Sequence, residues 1–141
     1  MSIEVNIEYT YNRAAAQQLA TGACSDLVTS MCVDTITYAT PATPVRTGRL
    51  RAGNQFAVDA PRGWSVEGVV FNATEYARDV HDGTRPHIIK PRNAQALRFE
   101  GAAGGIEFAM VVHHPGTRPR PFLAEGAAQA APLNGFTFTT G

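Results

Sequence analysis

Residues 2–9 alternate apolar and polar positions without a break: Ile3, Val5, Ile7 and Tyr9 against Glu4, Asn6 and Glu8. A period of two predicts a half-buried strand, or an arm that pairs with the edge of a neighbour's sheet. From residue 12 the period changes. Ala16, Leu19, Ala20, Ala23, Leu27, Met31 and Tyr38 recur at three- and four-residue spacing, widened by Cys24 and Val28. That stripe predicts a long helix over 12–39 with Asn12 as its N-cap and Pro41 and Pro44 as its stop. Gly22 and the Thr-rich second half have low helix propensity, so a kink or an early end is also open.

Beyond the helix the pattern becomes strand-like. Thr47 is a candidate cap for a short turn in PVRTGRLRAG (44–53), with Leu50 tucked beneath it. Residues 54–60 and 64–72, separated by Pro61-Arg62-Gly63, predict a β-hairpin, with Phe56 and Trp64 expected in the core. Residues 74–81 predict one or two helical turns capped by Thr74, with Tyr76, Ala77 and Val80 inward. A strand is expected at 95–100, Leu97 and Phe99 inward and Arg98 outward, and another at 106–112. The Gly-Ala loop 101–105 forms the hairpin tip between them. A final helix over about 121–131 starts at Pro121, turns Phe122 and Leu123 inward and stops at Pro132. Its alanine-rich remainder is small enough for close packing against a neighbouring molecule. The tail 133–141 alternates at Phe136 and Phe138 and predicts an edge strand or an interaction tail. The fold class is α+β: a long N-terminal helix packed on an antiparallel β-sheet, short helices, a C-terminal helix and protruding Gly/Pro loops.

The most informative motif is a repeat. Gly-Thr-Arg-Pro occurs at 83–86 and at 116–119, each time after a Val-His step. Gly punctuates local structure, and the proline pushes its preceding arginine into an extended conformation. Each copy therefore predicts a tight glycine turn followed by a presented arginine.

Composition narrows the function classes. A chain of 141 residues predicts a single domain, 1–141, able to bury a core. No apolar run approaches about 18 residues, and the N-terminal residues lack the basic and apolar regions of a secretory signal. Cys24 and Cys32 fall two helical turns apart, too far for a disulfide, and predict small buried residues in a reducing compartment. The net charge is zero but unevenly placed. Residues 1–45 carry one basic residue against four acidic ones; residues 46–120 carry eleven basic against seven acidic. Of the twelve basic residues only Lys90 is lysine. Arginine suits bidentate pairing with carboxylates and tolerates interfaces. Zero net charge argues against tight nucleic-acid binding, which wants a basic footprint. Acidic and basic segments suit a subunit whose acidic part meets a neighbour's basic part.

Catalytic chemistry is sparse. His81, His87, His113 and His114, with Asp79 and Asp82, can be imagined as metal ligands or as a hydrolase centre. They lack helical i, i+4 spacing, no cysteine lies near, and adjacent histidines on a strand point to opposite faces. Turn-stabilising or interface histidines fit better. There is no Walker-type phosphate loop and no nucleophile elbow. Neither an enzyme nor any metal or other cofactor is expected. A nucleic-acid-binding accessory role using residues 46–120 remains as a rival.

The blocks PVRTGRLRAG, YARDVHDGTRPHIIKPRNAQALRF and VVHHPGTRPRPFLAEGAAQA, in that order after a long helix, resemble the small neck or tail-completion proteins of long-tailed bacteriophages, described as head–tail connectors or minor tail components. The matching blocks span about Pro44 to Ala130. The resemblance implies a structural virion protein made in the host cytoplasm. It implies a ring, a hexamer of this chain, stacked at the head–tail junction between head-closure connector and tail-terminator or tail-tube proteins. DNA would pass through its lumen without sequence-specific binding, and no membrane would be involved. A tail terminator at the top of the tube is the alternative position. The expected inter-subunit or inter-ring contacts are Arg46, Arg49, Arg51, His81, Arg85, His113, Arg118 and Arg120.

Overall fold

The computed structural model describes residues 12–139. The alternating segment 2–9 and the last two residues of the tail lie outside the described residues. The chain is α+β, as its patterning predicts. Helix α1 spans Arg13–Ala42, and α2 spans Arg49–Ala52. Strands β1 (Asn54–Val58) and β2 (Gly68–Asn72) precede helix α3 (Ala77–His81). Strands β3 (His87–Ile89), β4 (Leu97–Glu100), β5 (Ile106–Ala109) and β6 (Val112–His114) follow, and helix α4 (Phe122–Leu133) closes the fold.

Helix α1 runs without interruption despite Gly22 and its threonines. The Asn12 side chain accepts from the Ala15 amide at 3.1 Å. Thr21, Thr29, Thr37 and Thr40 each donate their hydroxyl to the carbonyl four residues earlier, at 2.7–2.9 Å. These bonds satisfy side chains that otherwise compete with the helix. The helix reaches Ala42, and Thr43 closes it by donating both its amide and its hydroxyl to Ala39 O.

The face α1 buries differs from the expected stripe. Thr21, Cys32, Thr35 and Ala39 are buried, whereas Leu19 and Leu27 are 77% and 46% exposed. The two faces lie about a third of a turn apart at 100° per residue. Close approach decides between them. A Cβ on Gly126 of α4 would stand 2.5 Å from Thr35 O and 2.8 Å from Ala39 Cβ, so the two helices nearly touch backbone to backbone. A Cβ on Gly68 of β2 would stand 2.6 Å from Val28 Cγ1 and 3.0 Å from Cys32 Sγ. Only small side chains permit such contacts, and α1 offers them on the Thr/Cys/Ala face. Ala130 and Ala131 of α4 are therefore buried within the chain, whereas Ala128 is exposed. Cys24 is exposed, contrary to expectation, while Cys32 is buried and its thiol pKa is pushed up by that burial.

The expected single sheet is instead three two-stranded ribbons. The β1–β2 hairpin pairs Asn54 with Asn72 through Val58 with Gly68, as expected, and lies along α1. Its tip is held by Gln17 Nε2, which donates to Gly63 O at 2.6 Å. At its base, Asn72 Nδ2 donates to Leu50 O and to Asn54 Oδ1, both at 2.7 Å. Asn54 Nδ2 donates to Thr43 Oγ1 at 3.1 Å, which joins the hairpin to the end of α1. Thr74 donates its hydroxyl to Asn72 Oδ1 rather than capping α3, and no side chain caps α2 or α3.

The expected strand over 106–112 is two strands in different ribbons. Residues 106–109 pair with β4, and residues 112–114 pair with β3. A break at Met110 and Val111 divides them. These two ribbons, the arm, follow the Thr84–Thr117 bridge, and Glu100 at the end of β4 lies 4.0 Å from Arg46. The main apolar cluster is small: Leu50, Ala77 and Phe122, with Val80 and Leu123 packed against it. Phe56, Trp64 and Phe99, expected inside, are 38%, 52% and 37% exposed. Helix α4 carries Pro132 within its last turn, one residue short of its end. Residues 136–139 form no strand, and Phe136 and Phe138 are exposed.

Candidate functional site

The two Gly-Thr-Arg-Pro copies are joined to each other. Thr84 N donates to Thr117 O at 3.1 Å, and Thr117 N donates to Thr84 O at 3.0 Å. The hydroxyls repeat the reciprocity, Oγ1 to Oγ1 at 3.1 Å, and each lies 3.1 Å from the other residue's amide nitrogen. The copies thus cross as an antiparallel bridge with near-twofold symmetry. Identical segments pair well this way because each supplies what the other lacks.

The glycines are required by this crossing. Gly83 and Gly116 have φ of +74° and +86°, the left-handed region in which side chains are strained. A Cβ on Gly83 would meet Thr117 O at 2.6 Å, and one on Gly116 would press on Thr84 O. Farther along the arm, His87 faces His114, their rings stacked with centroids 5.0 Å apart. His114 Nδ1 accepts from the Gly116 amide at 3.0 Å, and His87 Nδ1 lies 2.9 Å from Arg85 O. The ring pair therefore braces the backbone on both sides of the bridge.

This clasp positions two arginines. The Thr84 and Thr117 hydroxyls meet on one face, so strand alternation places the next residues, Arg85 and Arg118, on the other. Both are exposed, and neither forms an ion pair among the described residues. The two arginines are exposed beside one shared crossing rather than on two separate arms.

The remaining expected contact residues divide. Arg120 follows the clasp, and its amide donates to Val80 O and His81 O at 3.0 and 3.1 Å, tying the second copy to α3. Arg46 lies 4.0 Å from Glu100, both well exposed. Arg49 and Arg51 are exposed on α2, and Arg51 Nη2 reaches Thr43 O only at 3.5 Å. His113 is exposed on β6, opposite Ile88. His81 turns inward within its own chain. Its ring stands edge-on to Phe122 at 5.4 Å, and its Nδ1 lies 2.7 Å from Asp82 Oδ1. That contact, with further help from the charges of His81 and Arg78, holds the Asp82 carboxyl below the usual aspartate range. Among the described residues no three His, Cys, Asp or Glu side chains are grouped to hold a metal ion, and no helix is long and apolar enough to cross a membrane.

The apolar surface is the larger feature. Ile88, Ile106, Phe108 and Met110 on the arm are between 56% and 73% exposed, and Leu19, Val69 and Leu133 are exposed elsewhere.

Compared with known proteins, the chain matches no family model, no curated protein and no solved structure.

Proposed function

We propose that this chain is a structural subunit, rather than an enzyme, that assembles into a ring at the head–tail junction of a long-tailed bacteriophage and lets DNA pass. The observation that carries the reading is the set of large apolar side chains left in water, Ile88, Ile106, Phe108 and Met110 among them. Exposed apolar patches of this kind mark surfaces that bury against another molecule. A ring needs head-to-tail contacts between two different patches on each subunit. The arginine platform of Arg85 and Arg118 and the apolar ribbon arm are two such patches. The blocks that resemble neck and tail-completion proteins include Arg85, Arg118 and strands β3 and β6. Zero net charge suits a lumen through which DNA slides without being held.

The reading is tested in two ways. Cryo-EM of purified virions should resolve a ring of this chain between capsid and tail tube; its absence from particles removes the reading. Arg85→Ala with Arg118→Ala should leave the monomer folded by circular dichroism and stop assembly. Normal joining of heads to tails by that double variant would refute the role given to the platform.

A further inference from the structure

The loop that follows α1, helix α3 and the residues after the clasp enclose a depression at the far end of the molecule from Asn12. It has two connected lobes, of about 420 and 350 Å³, that share Pro44, Val80 and Arg120. Its apolar lining comes from Pro44, Leu50, Tyr76 and Val80. Its charged lining is entirely basic: Arg46 beside one lobe, Arg118 and Arg120 beside the other. An extended segment that alternates apolar side chains with carboxylates would satisfy both linings at once.

The chain contains such a segment. Residues 2–9 alternate Ile3, Val5, Ile7 and Tyr9 with Glu4, Asn6 and Glu8. These are two of the four acidic residues in the first 45, which carry only one basic residue. The segment's place in the chain settles which copy can supply it. The helix α1 separates Asn12 from the depression by 30 residues, about 45 Å at 1.5 Å per residue. Glu8 and Glu4 precede Asn12 by four and eight residues. Even a fully extended chain spans only about 14 and 28 Å over those lengths. A subunit's own carboxylates therefore fall short of its own depression.

We infer that the basic, apolar-floored depression receives residues 2–9 of a second copy of this chain, with Glu4 and Glu8 meeting Arg118, Arg120 and Arg46. The donor segment precedes α1 in the chain and the acceptor depression follows it, so each subunit gives before the helix and receives after it. Such a contact is head-to-tail and closes into a ring when the rotation allows. The inference rests on the reading of the chain as a self-assembling subunit.

Charge reversal in the full-length chain tests it. Glu4→Arg with Glu8→Arg, and separately Arg118→Glu with Arg120→Glu, place like charges at the contact. Each double variant alone should sediment as a monomer under conditions in which the wild type assembles. An equimolar mixture restores opposite charges at every contact and should recover the oligomer. Wild-type-like assembly of either variant alone, or a mixture that stays monomeric, overturns the inference. A second measurement uses no altered protein. A labelled peptide of residues 2–10 should bind the wild-type chain at dilutions where it is dissociated. The same peptide with Glu4→Gln and Glu8→Gln should bind at least about tenfold more weakly. Equal binding of the two peptides overturns the inference. A wild-type ring accompanied by normal assembly of both variants refutes this contact alone. A wild type that is monomeric and absent from virions refutes the ring reading as well.

Discussion

Replacing Gly116 by alanine adds one carbon where, of all the glycines, backbone atoms leave the least room for it. The residue has φ +86°, and its new Cβ would press on Thr84 O, with the Arg85 carbonyl carbon at 3.0 Å and Pro86 N at 3.1 Å. All of these are backbone atoms, and the reciprocal Thr84–Thr117 bonds pin that backbone in place. Left-handed strain costs about 1–2 kcal/mol for a residue with a Cβ. Forcing an extra carbon into a filled contact costs about 1–3 kcal/mol more. The expected loss is thus about 2–5 kcal/mol, concentrated in the clasp. Amide hydrogen exchange at Thr84 and Thr117 reads it directly, since each amide is bonded across the bridge. Their protection should fall by roughly 30-fold to several thousand-fold, at about 1.4 kcal/mol per decade. Gly104→Ala is the control. Gly104 has φ +80° but nothing within 4 Å of its would-be Cβ, so only the strain of about 1–2 kcal/mol applies. If Gly116→Ala leaves the Thr84 and Thr117 amides as protected as in the wild type, the clasp does not hold these segments together.

Phe122→Ala removes the largest fully buried side chain, 1% exposed, and should cost about 3–5 kcal/mol, lowering the calorimetric Tm by about 10–20 °C. Gly22→Ala lies inside α1 with open space around the new Cβ, so urea unfolding should report a gain of about 1 kcal/mol. Asp82→Asn concerns a carboxyl whose pKa is lowered by its bond to His81. A lowered pKa contributes stability above the ordinary aspartate value and loses it as pH falls. The wild type should therefore exceed the variant near neutral pH and converge with it below about pH 3.9. A difference that grows in acid would contradict the assignment.

Elements defined by local chemistry were legible in the sequence. The Asn12 cap, the long helix, the β1–β2 hairpin and the start of α4 near Pro121 all follow from period and punctuation over a few residues. Which face of α1 is buried was not legible. Hydrophobic periodicity points to Leu19, Ala23 and Leu27, but contact with Gly68 and Gly126 selects small residues, and Thr21 and Thr35 are buried, the Thr21 hydroxyl bonded to Gln17 O. Size, rather than hydrophobicity, sets the helix contact. The division of 106–112 was hidden for a related reason. An apolar run reads as one strand, and only the positions of β3 and β4 show that it serves two partners.

The site was half legible. The repeat marked Arg85 and Arg118 as presented residues, and the structure places both in the open. The pairing of the two copies with each other came only with the structure, although its signal lay in the repeat itself. Two identical Thr-Arg-Pro steps after glycines of free φ are self-complementary in an antiparallel crossing, where the threonine amide of each copy meets the threonine carbonyl of the other. The pairing has a consequence for how the arginines can act. Two separate flexible arms would lose conformational entropy separately on docking, about 0.5–1.5 kcal/mol for each immobilised long side chain plus the ordering of each loop. A clasp braced by reciprocal threonine bonds and the His87–His114 stack has its backbone ordered before any partner arrives. The loop contribution is removed, leaving only the arginine side chains to be fixed. That preorganisation is what a surface needs if it is to recognise the same carboxylates repeatedly around a ring, and it explains why the constraint falls on glycine at both 83 and 116.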